Sequence, residues 1–247
     1  MNAAPLPPHP TLGKYYAADQ DRSEFVSDMF DDGAPAYEWV CRVMSLGTGA
    51  HYRKQALRNA GLREGMRVLD VATGTGLVLR PADELTGATK LAIGVDPSRG
   101  MLKECRKHSS APVVQARGES LPFPGEYFDM VSMGYGLRHV GDLRALFREY
   151  RRVLKPGGRL LVLEITQPDS RAGRQFNSFF LGKLIPSVAR FLKSAEAGRM
   201  MDYFWDTVKN CVPPDQIVTA LRETGFPGAS RTIMAGILSE FVAIRPS

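Results

Sequence analysis

From Met66 onward the chain alternates short apolar runs rich in Val, Leu and Ile with stretches of helical periodicity, the pattern of a mostly parallel sheet covered by helices. The runs predict strands at 67–72, 91–95, 112–115, 128–133 and 159–164, separated by helices over about 76–85, 98–108 and 143–154. Lys155-Pro156-Gly157-Gly158 stops the last helix. The tail changes period. Pro213-Pro214 opens a helix running to about Glu223, and strands at 230–234 and 237–244 close around Ala235-Gly236 as a β-hairpin. Residues 1–19 read as a loose, proline-rich arm, 20–62 as helices ahead of the sheet, 66–166 as the central α/β core, 167–207 as a helical insertion and 208–247 as the closing helix and hairpin.

A length of 247 residues with 44% hydrophobic and 23% charged positions suits one domain around one core. Cys41, Cys105 and Cys211 are widely spaced and odd in number, so a reduced, cytoplasmic compartment is expected, and no His/Cys/Asp cluster has metal-ligand spacing. The first residues lack the basic start and apolar run of a secretory signal, and no apolar stretch approaches the ~18 residues that span a bilayer. The net charge of +6 is scattered among acidic residues, which argues against a nucleic-acid partner and fits an anionic substrate or membrane surface at least as well.

The chemistry gathers where the first strand ends. Met66-Arg67-Val68-Leu69-Asp70-Val71-Ala72-Thr73-Gly74-Thr75-Gly76 puts an acid at the end of a buried strand, then a glycine turn that lets a ligand approach backbone at a helix start. A dinucleotide site would want a third small residue after Gly76; the chain supplies Leu77, Val78 and Leu79. S-adenosylmethionine (SAM) carries no phosphate. Its ammonium can pair with an acid near the turn, which Asp70 supplies, and its ribose hydroxyls with an acid on the next strand tip, which Asp96 supplies about 20 residues beyond the glycines. Taken singly, either acid could be only a helix cap; the pair at this spacing points to the ligand.

Four stretches together resemble the class I SAM methyltransferases, and among them the ubiquinone/menaquinone C-methyltransferases, the UbiE-like family. They are Val68 to Gly76; Glu119-Ser120-Leu121-Pro122-Phe123-Pro124 with Phe128-Asp129; Tyr135-Gly136-Leu137-Arg138-His139-Val140 with Asp142; and Arg152 to Glu164. The third is the narrowest, similar to the family's F-G-[LI]-R-N-x-x-D, and Ala34-Pro35-Ala36-Tyr37-Glu38 with Met44-Ser45-Leu46-Gly47 resembles its amino-terminal A-P-x-Y-D…M-S-x-G. The resemblance implies a Rossmann-like, mostly parallel seven-stranded sheet with a C-terminal antiparallel hairpin and helices on both faces. It implies SAM as cofactor, with Asp70, Ala72, Gly74 and Gly76 at the methionine end, Asp96 on the ribose, and Met101, Gly118 and Glu119 at the adenine, where Arg117 stands in place of the family's usual Asp or Asn.

Methyl transfer to carbon needs an electron-rich ring, so a phenol must lose its proton and the ring proton must follow. Arg138 could stabilise the phenolate, His139 (Asn in the family) could act as base or merely cap the loop, and Tyr37 could reach the pocket or anchor helices. The expected reaction is C-methylation of an aromatic or quinone-like small molecule. Cys41 and Arg42, often Asn and Asp in relatives, keep open a methyltransferase of specialised metabolism or another SAM-dependent group transfer. The insertion mixes Phe and Leu with Lys183, Arg190 and Lys193 over 176–193, so it reads either as an internally packed lid or as a peripheral contact on the inner membrane face; a homodimer is a further expectation.

Overall fold

The computed structural model describes residues 4–18, 21–89, 91–168 and 170–247. Seven strands form one sheet: β1 (Val68–Val71), β2 (Ala92–Asp96), β3 (Val113–Gln115), β4 (Phe128–Gly134), β5 (Leu154–Ile165), β6 (Ser230–Met234) and β7 (Leu238–Ile244), in the order β3-β2-β1-β4-β5-β7-β6. The first five run parallel, and β7 pairs antiparallel with both β5 and β6. The strand order reverses direction between β1 and β4, and ligands of open α/β sheets bind outside the carboxyl ends of the strands at that point.

Helices cover both faces because the strands are apolar on both sides; every residue of β1 is buried. On one face α5 (Leu143–Val153) presents Leu143, Leu146, Phe147, Tyr150 and Val153, an i, i+3, i+4 stripe, to β4 and β5, and α9 (Pro214–Glu223) adds Ile217 and Leu221. On the other, α2 (Gly49–Asn59), α3 (Leu79–Leu85) and α4 (Arg99–His108) contribute Leu57, Leu79 and Cys105. A third apolar cluster lies off the sheet. It joins α1 (Arg22–Met44) to α7 (Ile185–Leu192) and α8 (Ala195–Asn210) through Val26, Met29, Val40, Ile185, Met200 and Tyr203. The insertion is helical as expected, with α6 (Arg171–Phe179) running through a π turn into α7.

Two expectations are corrected. The helix expected from Gly76 begins at Leu79, because Gly74 (φ +55°) and Gly76 (φ +88°) adopt left-handed backbone that a helix cannot contain. The arm, expected to be loose over 1–19, is a strap where it is described, residues 1–3 and 19 lying outside the described residues. Leu6 N–H donates to Asp142 Oδ1 (2.8 Å), Leu143 N–H donates to Leu6 O (2.9 Å), and Val212 N–H donates to Pro8 O (2.8 Å). Tyr16, 5% exposed, packs into the cluster of α1, α7 and α8. An extended proline-rich segment leaves its carbonyls unpaired by its own backbone, and here they satisfy N–H groups at the ends of α5 and α8.

Candidate active site

The turn after β1 is held from below. Asp70 is fully buried; Thr73 Oγ1 donates to its Oδ2 and Ser132 Oγ to its Oδ1, each at 2.7 Å. Burial pushes its carboxyl up to about 7, and the two hydroxyls moderate the rise. Ala72 (φ +52°), Gly74 and Gly76 then reverse the chain. A Cβ on Gly76 would lie 2.8 Å from Cys105 Sγ, so its smallness serves the packing of α4. A Cβ built on Gly74 meets only Tyr37 Cε1 at 3.9 Å and Met101 Sδ at 4.0 Å, which leaves its backbone open to a ligand. Of the four residues expected at the methionine end, Ala72 and Gly74 line the cavity; Asp70 and Gly76 lie behind it and shape the turn.

Asp96, at the tip of β2, accepts Gly74 N–H at Oδ2 (2.8 Å) and Ser98 N–H at Oδ1 (2.9 Å). It faces the cavity, and burial pushes its carboxyl up to about 6 although both N–H groups favour the ionised form. Ser98 caps α4 by accepting Met101 N–H (3.0 Å). The same hydroxyl donates to Asp31 on α1, and Gly100 N–H donates to that carboxylate at 2.8 Å. Asp31 was not foreseen: 67 residues separate it from Ser98, and no local spacing marks it. At the end expected to take the adenine, Gly118 packs where a Cβ would come within 2.6 Å of Leu146, and Glu119 Oε1 accepts Gly141 N–H at 2.7 Å. Met101, Arg117, Gly118 and Glu119 all line the cavity.

The cavity, of about 290 Å³, runs from this end beneath α1 to Arg22, Val26, Phe30, His139 and Val140. Tyr37 lines it beside Gly74, its hydroxyl raised well above its ordinary value by burial. His139 stacks on Tyr203 (centroids 5.6 Å apart) and meets the edge of Phe30 (5.1 Å). Desolvation, then the charges of Arg138, His9 and Arg22, hold its imidazole well below the usual value, so the ring is neutral, and its Nδ1 is buried with no hydrogen-bond partner.

Arg138 behaves otherwise than expected. Its Nε donates to Glu164 Oε1 at 2.9 Å with both side chains fully buried, and Nη1 donates to Thr207 Oγ1 (2.6 Å) and Phe204 O (3.2 Å). It does not line the cavity. The structure thus brings together Tyr37, Ala72, Gly74, Asp96, Met101, Gly118, Glu119 and His139, adds Arg22 and Phe30, and sets Asp70, Gly76 and Arg138 one layer back. Among the described residues, no group of three or more His, Cys, Asp or Glu side chains could hold a metal ion.

A model of the ubiE/COQ5 methyltransferase family matches residues 17–245. The ubiquinone/menaquinone biosynthesis C-methyltransferase UbiE of Pseudoalteromonas translucida is 32% identical over 222 residues, covering 87% of this chain and 88% of that protein. The protein of the same description from Geobacter sulfurreducens is 33% identical over 213 residues, covering 83% and 82%. Among solved structures, a putative SAM-dependent methyltransferase from Methanococcus maripaludis superposes with a TM-score of 0.64 at 14% identity, covering 89% of this chain and 94% of that one. A SAM-dependent methyltransferase from Thermotoga maritima gives 0.62 at 20% identity, covering 89% and 99%. These two share the fold, and the residues fit the cofactor: an open Gly74 backbone, a cavity-facing Asp96 and, beyond it, a wall of Met101, Gly118 and Glu119. By family and by fold, the chain is a SAM-dependent methyltransferase of the ubiE/COQ5 family.

Proposed function

We propose that the chain methylates a ring carbon of a hydroxylated aromatic or quinol. The observation that carries this reading is the continuity of one cavity, with Ala72, Gly74 and Asp96 at one end and the aromatic and apolar side chains Phe30, Val26 and Val140 around the neutral His139 at the other. SAM, when bound, supplies an electrophilic methyl group. The chain's own residues hold and align: Gly74 and Asp96 grip the methionine and ribose parts, and Tyr37, beside Gly74, closes the wall where donor and acceptor meet. His139 lines this end with an unpaired Nδ1, placed to hydrogen-bond a ring hydroxyl of the acceptor, while burial and the neighbouring cations that hold its imidazole low leave it a weak base. Arg138 fills a positioning role, tying the loop of His139 to β5 and α8. The curated relatives, whose descriptions name quinone biosynthesis, support the acceptor class.

Incubation with methyl-labelled SAM and a demethylated quinol tests the reading: label on a ring carbon is expected. Label appearing only in other metabolites of an extract would leave a methyltransferase with a different acceptor, the outcome that Cys41, Arg42 and His139 would then explain.

A lipophilic acceptor also gives the insertion a purpose. Leu181, Ile185 and Ala189 pack inward, but Phe176 (63% exposed), Phe179 (59%), Phe191 (88%) and Leu192 (57%) face out beside Lys183, Arg190 and Lys193. We infer that this face rests on an anionic bilayer surface. Among the described residues, no helix is long and apolar enough to cross a membrane. Cosedimentation with anionic vesicles, lost in Phe179→Ser/Phe191→Ser, is the expected result; concentration-dependent self-association lost in the same variant would assign the face to a homodimer instead.

A further inference from the structure

Methyl transfer is sensitive to distance: in-line attack needs the reacting atoms about 3–3.5 Å apart, and a displacement of about 1 Å can cost on the order of 100-fold in rate. In this chain the two sides of that distance lie on different elements. Gly74 and Asp96 line the cavity from the strand ends, while Val26, Phe30 and Tyr37, spaced by four and seven residues, line it from one face of α1. α1 rests on α7 and α8 through apolar side chains, Met29, Ala36 and Val40 among them. Contacts of that kind are non-directional and leave a helix free to shift along its axis or turn about it.

Asp31, the residue after Phe30, supplies the missing direction. Its Oδ1 accepts Gly100 N–H at 2.8 Å and the Ser98 hydroxyl, both at the start of α4, where open N–H groups and the helix dipole favour a carboxylate. The backbones are close there too, since a Cβ on Gly100 would come within 2.7 Å of Asp31 Cα. The same turn belongs to the donor side of the cavity. Ser98 N–H donates to Asp96 Oδ1, Gly74 N–H donates to Asp96 Oδ2, and Met101, whose N–H the Ser98 hydroxyl accepts, lines the cavity. One hydrogen-bonded path thus runs from the glycine turn through Asp96 and Ser98 to α1. Two further ties of α1, from Arg22 to the Val140 carbonyl and from Glu38 to Arg80 of α3, do not involve α4.

We propose that Asp31 is a positioning residue for methyl transfer, which by fixing α1 on the start of α4 sets the distance between the acceptor and the methyl donor. This rests on the reading that the acceptor lies against Val26 and Phe30, and deepens it by naming the group that holds that wall in register. The test compares Asp31→Ala, which removes the tie, with Asp31→Asn, which keeps an oxygen for Gly100 N–H and the Ser98 hydroxyl. Asp96 keeps both of its N–H donors in either variant, so S-adenosylhomocysteine affinity by calorimetry should stay within about threefold of wild type, and the binding stoichiometry counts the folded sites.

Per folded site, kcat should fall about 10–100-fold in Asp31→Ala with the acceptor KM within about threefold, and Asp31→Asn should recover most of the rate. A residue needed only for folding would change the number of sites and not the rate at each. Asp31→Glu, which keeps the charge on a longer side chain, carries the same expectation and replaces the alanine variant if that one does not fold. The acceptor is whichever compound takes label from methyl-labelled SAM, the demethylated quinol or a metabolite of the extract, so a failed quinol assignment leaves the comparison intact. An unchanged kcat, a loss confined to KM, or an Asp31→Asn as slow as Asp31→Ala each overturns the role of Asp31. Hydrogen exchange of the chain saturated with S-adenosylhomocysteine checks it without turnover: α1 amides should exchange faster in Asp31→Ala than in wild type and Asp31→Asn, and equal rates in all three overturn it as well.

Discussion

Asp96→Asn separates what the carboxylate proposed to hold the ribose contributes to binding from what it costs the fold. In the ligand-free protein Asp96 is 6% exposed and its carboxyl is pushed from 3.8 to about 6. At roughly 1.4 kcal/mol per pKa unit, keeping it ionised at pH 8 costs the folded state on the order of 3 kcal/mol. The sign follows from the direction: the folded carboxyl holds its proton up to a higher pH than the unfolded one, so this contribution is most favourable below 3.8 and is lost as pH rises through about 6. Asparagine removes that cost but turns an NH₂ toward one of the two N–H groups, Gly74 or Ser98, that the carboxylate accepts, a loss of about 1–3 kcal/mol. The two nearly cancel, so the apo protein should unfold within about 2 kcal/mol of wild type. Ligand binding has no such compensation. Losing at least one carboxylate–hydroxyl bond to the ribose weakens S-adenosylhomocysteine binding by about 10–100-fold. Calorimetric titration from pH 5 to 8 checks both parts: wild-type affinity should fall as pH drops through about 6, whereas the variant should be weak at every pH. An Asp96→Asn protein binding within about threefold of wild type at pH 7.5 would refute the ribose assignment.

Other substitutions follow from the same geometry. Gly100→Ala would place a Cβ 2.7 Å from Asp31 Cα and 2.8 Å from its carbonyl oxygen, so α1 must move; a loss of about 1–3 kcal/mol with weakened S-adenosylhomocysteine binding is expected in urea unfolding and calorimetry, and Gly228→Ala, with nothing within 4 Å, serves as the silent control. Glu164→Gln leaves the Arg138 guanidinium buried without its carboxylate and should lower Tm by roughly 6 °C or more by calorimetric scanning. Asp70, pushed up to about 7, should make the apo protein gain stability as pH falls from 8 to 5; Asp70→Asn should lose that gain in paired urea titrations. Deleting residues 1–8 removes the acceptors for Leu143 and Val212 N–H together with the packing of Leu6, and about 2 kcal/mol of stability should go with them.

The features legible in the sequence are those encoded within one element or one turn. The stripe of Leu143, Leu146, Phe147 and Tyr150 declares a helix face, and the glycines after Asp70 declare a turn. Asp96 could be placed because strand length and the glycine turn set its distance along the chain. Direction was not legible. In a strand covered on both faces every position reads as apolar or buried, so nothing local says that Asp70 points down onto Ser132 while Asp96 faces the cavity. Arg138 was misread for a related cause: its partner is a single acid at the end of β5, indistinguishable in sequence from a cavity-facing carboxylate until β4 and β5 are paired. The strap, Asp31 and Arg22 depend on contacts across 136, 67 and 118 residues, which no periodicity records.

The donor and acceptor ends of the cavity have different structural origins. The donor end is built from the carboxyl edges of β1 and β2, where Ala72 holds a left-handed backbone, and Tyr135 does the same at the end of the neighbouring β4. A Cβ on Gly136 would come within 2.5 Å of the Ala72 side chain, so the two strand ends interlock. Such conformations cost on the order of 1–3 kcal/mol each and persist only where the surroundings fix them. Little can change there without loss of the turn. The acceptor end is built from α1, with the strap behind it, and from the loop carrying His139; α1 is tied to α4 by the Asp31 carboxylate and to the body by the apolar cluster of α7 and α8. Side chains on the cavity face of α1 can therefore vary with the sheet edge untouched. The departure from the family pattern at His139, beside an intact glycine turn, is what that division allows, since the loop after β4 can change at the acceptor end with the turn after β1 kept; Cys41 and Arg42, also departures, lie on α1 outside the cavity lining.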